Sequence, residues 1–172
     1  MTGAIRPARS VDAAHLPAIE RAAGKLFETL PDLAWLSGSE PMAAADHLAL
    51  IRAGTSWVAE VDAALAGFLA AERIGRDLHI VEVSVAPAYQ GRGLGRRLIE
   101  AALAHARPSG FAALTLTTFR DVAWNGPFYA RLGFAEVPEH ELCPRLAGLL
   151  ADEERRGLPR ARRRAMRLSL SG

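Results

Sequence analysis

The sequence predicts an α/β domain with a mixed central sheet, an antiparallel meander joined to a parallel βαβ pair, flanked by helices. Three features carry that expectation. β-Prone stretches follow one another at 55–61, 64–74 and 77–86 with only tight turns between them. A strand, a glycine-rich loop, a helix and a second strand then occupy 78–118, the pattern of a crossover between parallel neighbours. Half of the 172 residues are hydrophobic and 23% are charged, which suits one globular domain over 1–172.

In chain order, "AIRPARS" (4–10) reads as a first strand, kept to an edge by Pro7. A helix capped by Ser10 or Asp12 runs through Ile19 and Ala22 toward Phe27, with Pro17 delaying its true start. "LPDLAWLSGSEP" (30–41) is an aromatic loop, and a second helix follows from Pro41 to about Ala53, closed by Gly54. The meander turns at Asp62 and at Gly75-Arg76-Asp77. The helix over 94–107 sets Leu94, Leu98, Ala101, Ala102 and Ala106 on one face and Arg96, Arg97 and Glu100 off it. A strand (112–118), a short helix (126–132) stopped by Gly133, a strand (134–137), a helix (141–155) and a last strand (164–170) complete the order βααβββαβαβαβ. There are no internal repeats and no linker.

Composition excludes several classes. The formal charge is +2, and Lys25 is the sole lysine among 21 basic residues, an arginine bias without the marks of a nucleic-acid surface. No aromatic residues interleave with Arg155, Arg156, Arg160, Arg162, Arg163 and Arg164 to offer stacking. That cluster reads as a solvated terminal loop, with attraction for an anionic ligand as the alternative. No apolar run is long enough to span a membrane, and no signal peptide is expected. Cys143 stands alone, which suits a reducing cytoplasm. The five histidines show no ligand spacing, so no metal is expected.

The glycine loop carries the chemistry. A Walker loop needs Gly-Lys-Ser/Thr after four residues, and no such lysine exists. A dinucleotide fingerprint needs Gly-x-Gly-x-x-Gly, which fails at Arg96 or at Leu98. What stands is Gln90-Gly91-Arg92-Gly93-Leu94-Gly95 at the mouth of a helix. Amides from Arg92 to Arg96 can form a concave nest at the positive end of that helix, matched to a pyrophosphate. Gly93 and Gly95 remove the Cβ atoms that would hold phosphates away, and Arg92, Arg96 or Arg97 can add charge.

The loop, the preceding "EVSVAP" and the later "FYARLGF" (128–134) together resemble the GCN5-related N-acetyltransferase (GNAT) superfamily along nearly the whole chain. The resemblance implies acetyl-CoA as cosubstrate, held by Gln90, Gly91, Arg92, Gly93, Leu94, Gly95 and Arg96. Its pantetheine arm would lie between the strands at 78–86 and 112–118, pairing with Val83, Ser84 and Val85. It implies acetyl transfer to a primary amine, of a small molecule in the first reading. A protein N-terminus or lysine is the alternative acceptor, and a non-catalytic acyl-CoA sensor the alternative class.

An alkylamine with a pKa of about 10.4 is mostly protonated at neutral pH, so a base should help. Glu82, on the central strand, is the candidate. His79 is the rival, placed on the opposite face by two-residue alternation. Tyr129 aligns with the family's general acid, able to protonate the departing thiolate. Many relatives carry an asparagine where this chain has Val122. Asn125 can cap the helix at 126–132 and also contact CoA. Glu20, Glu28, Asp32 and Glu40 would suit a cationic acceptor, and Leu33, Trp35 and Leu36 could line its pocket. The oligomeric state, a homodimer included, is left open.

Overall fold

The computed structural model describes residues 3–170; the outermost two residues at each end of the 1–172 domain expectation lie outside the described residues. Seven strands form one sheet: β1 (Ala4–Pro7), β2 (Ser56–Val61), β3 (Ala64–Ile74), β4 (Asp77–Val85), β5 (Ala113–Phe119), β6 (Ala135–Glu136) and β7 (Arg163–Ser169). Their spatial order is β1-β2-β3-β4-β5-β7-β6. Every neighbouring pair is antiparallel except β4 and β5. The meander turns between β2 and β3 through Asp62 and Ala63, both at positive φ, which suits the right-handed twist of a tight hairpin.

Among the described residues five α-helices flank the sheet: α1 (Leu16–Gly24), α2 (Ala44–Arg52), α3 (Leu94–Ala106), α4 (Gly126–Arg131) and α5 (Pro144–Arg155). The expected first helix is shorter than its pattern. Asp12 caps a separate 3-10 turn by accepting the Arg9 N–H at 2.6 Å, and α1 begins four residues later with Pro17 in its first turn. The aromatic loop contains a 3-10 turn over Ala34–Gly38.

One face of the sheet buries Leu78, Ile80, Leu114, Leu116 and Met166 against Leu94, Leu98, Ile99, Ala102 and Ala106 of α3. Burying an aliphatic side chain of this kind contributes about 1.5–3 kcal/mol. On the other face, Leu16 and Ile19 of α1 pack on Val58, Phe68 and Ala70. A third cluster joins Leu33, Phe119 and Val122, flanked by Phe27, Leu36, Trp124 and Leu158.

Two irregularities position the site. β4 pairs with β5 only from Asp77 to His79, opposite Ala113 to Thr115. Beyond that point the strands part, while their outer edges stay bonded to β3 and β7. The inner edges therefore present unpaired backbone groups. The second irregularity is a bulge: Ala70 faces Glu82 but Ala71 faces Ile80, so Val81 is an extra residue in β4.

The bulge corrects the expectation that His79 and Glu82 lie on opposite faces. Leu78 and Ile80 point into the α3 core before it, and Val83 and Val85 pack against that core after it. His79, Glu82 and Ser84 are left together on the other face.

Candidate active site

A cleft of about 970 Å³ opens where β4 and β5 separate. Along one wall lie Glu82, Val83, Ser84 and Val85; at one end are Gln90, Gly91, Gly93, Leu94, Gly95 and Arg96; Asn125 and Tyr129 close another side. The expected catalytic and cofactor-binding residues other than Arg92 thus line one cavity; of the expected acceptor-side residues Glu20, Leu36 and Glu40 line it, whereas Glu28, Asp32, Leu33 and Trp35 do not.

The loop end is built from unsatisfied donors. No amide from Gly91 to Arg96 finds an acceptor among the described residues; the first to do so is Arg97 N–H, which bonds the Gly93 carbonyl at 3.1 Å. Gly93 is the N-terminal flank of α3 and sits at φ 75°, where a side chain is disfavoured. At Gly95 an added Cβ would only touch Phe128 at 3.6 Å, so protein packing does not demand a glycine there. The open amides and the bare backbone fit a pyrophosphate at a helix N-terminus.

Side chains brace this loop. Gln90 Nε2 donates to the Val85 carbonyl at 2.9 Å, tying the loop to the end of β4. Arg92 Nη2 donates to the Ala88 carbonyl at 3.2 Å, and its guanidinium lies over the Tyr89 ring, so Arg92 points along the outside. Arg97 turns away to the Gly3 carbonyl at 2.6 Å. Arg96 alone of the three reaches the cleft, pairing with Glu100 at 2.8 Å on an exposed surface.

At the centre, Ser84 Oγ donates to Glu82 Oε1 at 3.0 Å. Burial pushes the Glu82 carboxyl up to about 8, assisted by the nearby Glu20 carboxylate and opposed by the Ser84 bond and the Arg163 charge. A carboxyl so placed exchanges protons near neutral pH. Tyr129 stacks edge-on against Phe128 and Phe134, with ring centroids 5.1 and 5.7 Å away. Burial, followed by the Glu82 charge, holds its phenol protonated well above the ordinary range.

His79 is 5% exposed, and its Nδ1 lies 2.9 Å from Thr115 Oγ1. Burial and then the Arg145 charge lower it to about 4, so the ring is neutral and a weak base. Asn125 stands at the helix-capping position but does not cap α4. Its Oδ1 accepts from Thr118 Oγ1 at 2.9 Å and from Phe119 N–H at 3.3 Å, anchoring α4 to β5.

The arginine cluster is only in part the solvated loop expected: Arg155 and Arg156 are exposed, but the other four are committed to partners. Arg163 and Glu153 are 9% and 6% exposed and form a two-bond ion pair beside Thr117, all three lining the cleft. Arg162 pairs with Asp32 and Asp121, Arg160 with Glu139, and Arg164 with Glu136. Only docking of α5 on β7 brings Arg163 to Glu153, and no sequence period signals that meeting. Among the described residues no group of three or more His, Cys, Asp or Glu could hold a metal, and no helix is long and apolar enough to cross a membrane.

The model of the acetyltransferase (GNAT) family matches residues 24–134, more than half the chain. The chain belongs to the GNAT family. Two curated relatives are each 35% identical to it: glucosamine 6-phosphate N-acetyltransferase 1 of Oryza sativa subsp. japonica over 94 residues, and N-alpha-acetyltransferase RimI of Mycobacterium tuberculosis over 96. Each match covers 54% of this chain and 55% and 59% of the relatives, so the chain spans a little over half of their length. The GNAT fold is also seen in PaiA N-acetyltransferase from Thermoplasma acidophilum in complex with coenzyme A. It superposes with a TM-score of 0.72 at 16% identity, covering 98% of this chain and 99% of that one.

Proposed function

We propose that this protein transfers an acetyl group from acetyl-CoA to the primary amine of a small molecule, within one domain over 1–172. The observation that carries the reading is the run of free amides from Gly91 to Arg96, opening onto the cleft that also holds Glu82 and Tyr129. Those amides would hold the pyrophosphate, and the inner edge at Val83, Ser84 and Val85, where Gln90 already occupies the Val85 carbonyl, would receive the amide-bearing arm as an added strand. Asn125 would stand beside it.

The chemistry the cosubstrate supplies is a thioester carbonyl open to attack. The chain's part is to move two protons. Glu82 takes one from the incoming ammonium and later releases it to solvent; the second leaves the nitrogen as the C–N bond forms and restores the proton that Tyr129 gives to the sulfur as the C–S bond breaks. Glu82 suits the first task better than His79, since a base near 4 competes poorly for an ammonium proton.

A small acceptor is favoured by the walls of the far end. Phe27, Leu36, Trp124 and Leu158 line it with apolar surface. The lone Cys143 supports a reducing, cytoplasmic setting.

A panel of alkylamines and of peptides, incubated with acetyl-CoA and read by thiol release, tests the proposal. Thiol from small amines is expected. Thiol from peptides alone would move the acceptor to protein, and CoA binding without thiol from any amine would make the protein a sensor.

A further inference from the structure

Glu82 is not the only carboxylate at the acceptor end of the cleft. Its cross-strand partner on β3 is Ala70, a small residue that packs in one cluster with Leu16 and Ile19 of α1. The next residue of α1 is Glu20, which lines the same cavity as Glu82. Glu20 Oε2 accepts the Met42 N–H at 2.8 Å, so this side chain is tethered between α1 and the segment that leads into α2. Two carboxylates from separate elements therefore share one half-buried space, one of them fixed in place.

We propose that Glu20 is the positioning residue for the acceptor, holding its ammonium between α1 and β4 within reach of Glu82. The inference rests on the reading of this cleft as the acceptor site. It names the substrate class: amines that arrive as cations, alkylammonium rather than arylamine.

The physical argument is like-charge coupling. Two carboxylates in one poorly hydrated space do not both ionise readily, so one retains a proton until a cation enters. Of the charges facing Glu82, Glu20 acts most strongly, although the Ser84 bond and the Arg163 charge both pull Glu82 down. Arg163 of β7 is committed to Glu153 of α5 by two hydrogen bonds, Tyr129 of α4 stays protonated, and His79 and Ser84 of β4 are neutral. Burial and the Glu20 charge both push Glu82 upward, and burial pushes Glu20 upward against its Met42 bond. An entering ammonium supplies the missing positive charge, the retained proton leaves to solvent, and the ionised Glu82 then takes one proton from the ammonium.

The test follows the Glu82 carboxyl directly, by NMR of protein labelled with ¹³C at the glutamate Cδ, with no acetyl-CoA or amine present. Glu82→Gln assigns the signal. Glu20→Gln can still accept the Met42 N–H but carries no charge, and it should lower the Glu82 midpoint by about one pH unit. Glu20→Asp restores the charge and should return the midpoint toward the parent value, which a merely structural role would not do. Circular dichroism checks that each variant is folded. An unchanged midpoint in folded Glu20→Gln overturns the proposal, whatever the turnover. A lowered midpoint in a protein that releases no thiol from any amine keeps the coupling and retires acetyl transfer instead. In an active enzyme, Glu20→Gln should raise KM for alkylamines roughly tenfold and leave arylamine KM unmoved; equal effects on both classes would also overturn it.

Discussion

Arg163 Nε donates to Glu153 Oε2 at 2.9 Å while Arg163 Nη2 donates to Glu153 Oε1 at 3.0 Å. The fork-to-fork pair joins β7 to α5 across the floor of the cleft, and Thr117 Oγ1 adds a third bond to Glu153 at 2.6 Å. Burial, the largest single influence, would raise the Glu153 carboxyl, yet the Arg163 bonds and charge, the Thr117 bond and the Arg156 charge together outweigh it and hold the group below the usual range. Removing one partner strands a desolvated charge. Arg163→Met should therefore cost about 3 kcal/mol in urea unfolding, and the double change with Glu153→Leu should recover most of that loss. A single-variant loss below about 1 kcal/mol would show the pair to be well hydrated.

Gly93→Glu should abolish CoA binding measured by calorimetry. The change places a negative side chain beside the free amides and forces a residue with a Cβ into positive φ, at roughly 1–2 kcal/mol of backbone strain. Gly93→Ala carries the same strain without the charge and should keep measurable affinity. Unchanged binding in folded Gly93→Glu would place the phosphates elsewhere.

Tyr129→Phe keeps the ring packed against Phe128 and Phe134 but removes the phenolic proton. Turnover should fall on the order of 100-fold while CoA affinity is retained. Equal turnover would reduce Tyr129 to a packing role.

His79 predicts a pH signature in stability. The unfolded chain binds a proton at this residue near 6.5, whereas the native ring resists protonation until about 4. Its contribution is fully present above 6.5 and is lost as pH falls toward 4, approaching about 1.4 kcal/mol per pH unit. Glu82 works in the opposite sense, because its native value near 8 exceeds its ordinary 4.5; that contribution is present at low pH and lost as pH rises through 8. Comparing parent and His79→Gln at each pH isolates the histidine. The variant should lack the acid-side loss, and parallel curves would show that His79 titrates normally.

Much of this molecule was legible in its residues. The meander, the parallel crossover and the helix of 94–107 follow from hydrophobic period and turn residues, because those signals are local. Glycine spacing pointed to the cleft for the same reason, whereas Tyr129 came from the family resemblance. The errors arose where distant segments decide the outcome. Alternation assigned His79 and Glu82 to opposite faces, since an extra residue in β4 is visible only against its partner β3. Asn125 has the sequence of a cap, yet the hydroxyl of Thr118 and the amide of Phe119 claim its oxygen. Arg163 looked like one arginine in a charged tail until α5 laid Glu153 beside it.

The surplus residue of β4, Val81, has a further consequence. Were Val81 to take a regular place in the ladder with β3 instead of bulging from it, the same letters from Glu82 onward would be turned over. The carboxyl would then face the aliphatic underside of α3, and two valines would look out at the solvent. Which side of this protein does chemistry is decided by an odd or even tally along one strand.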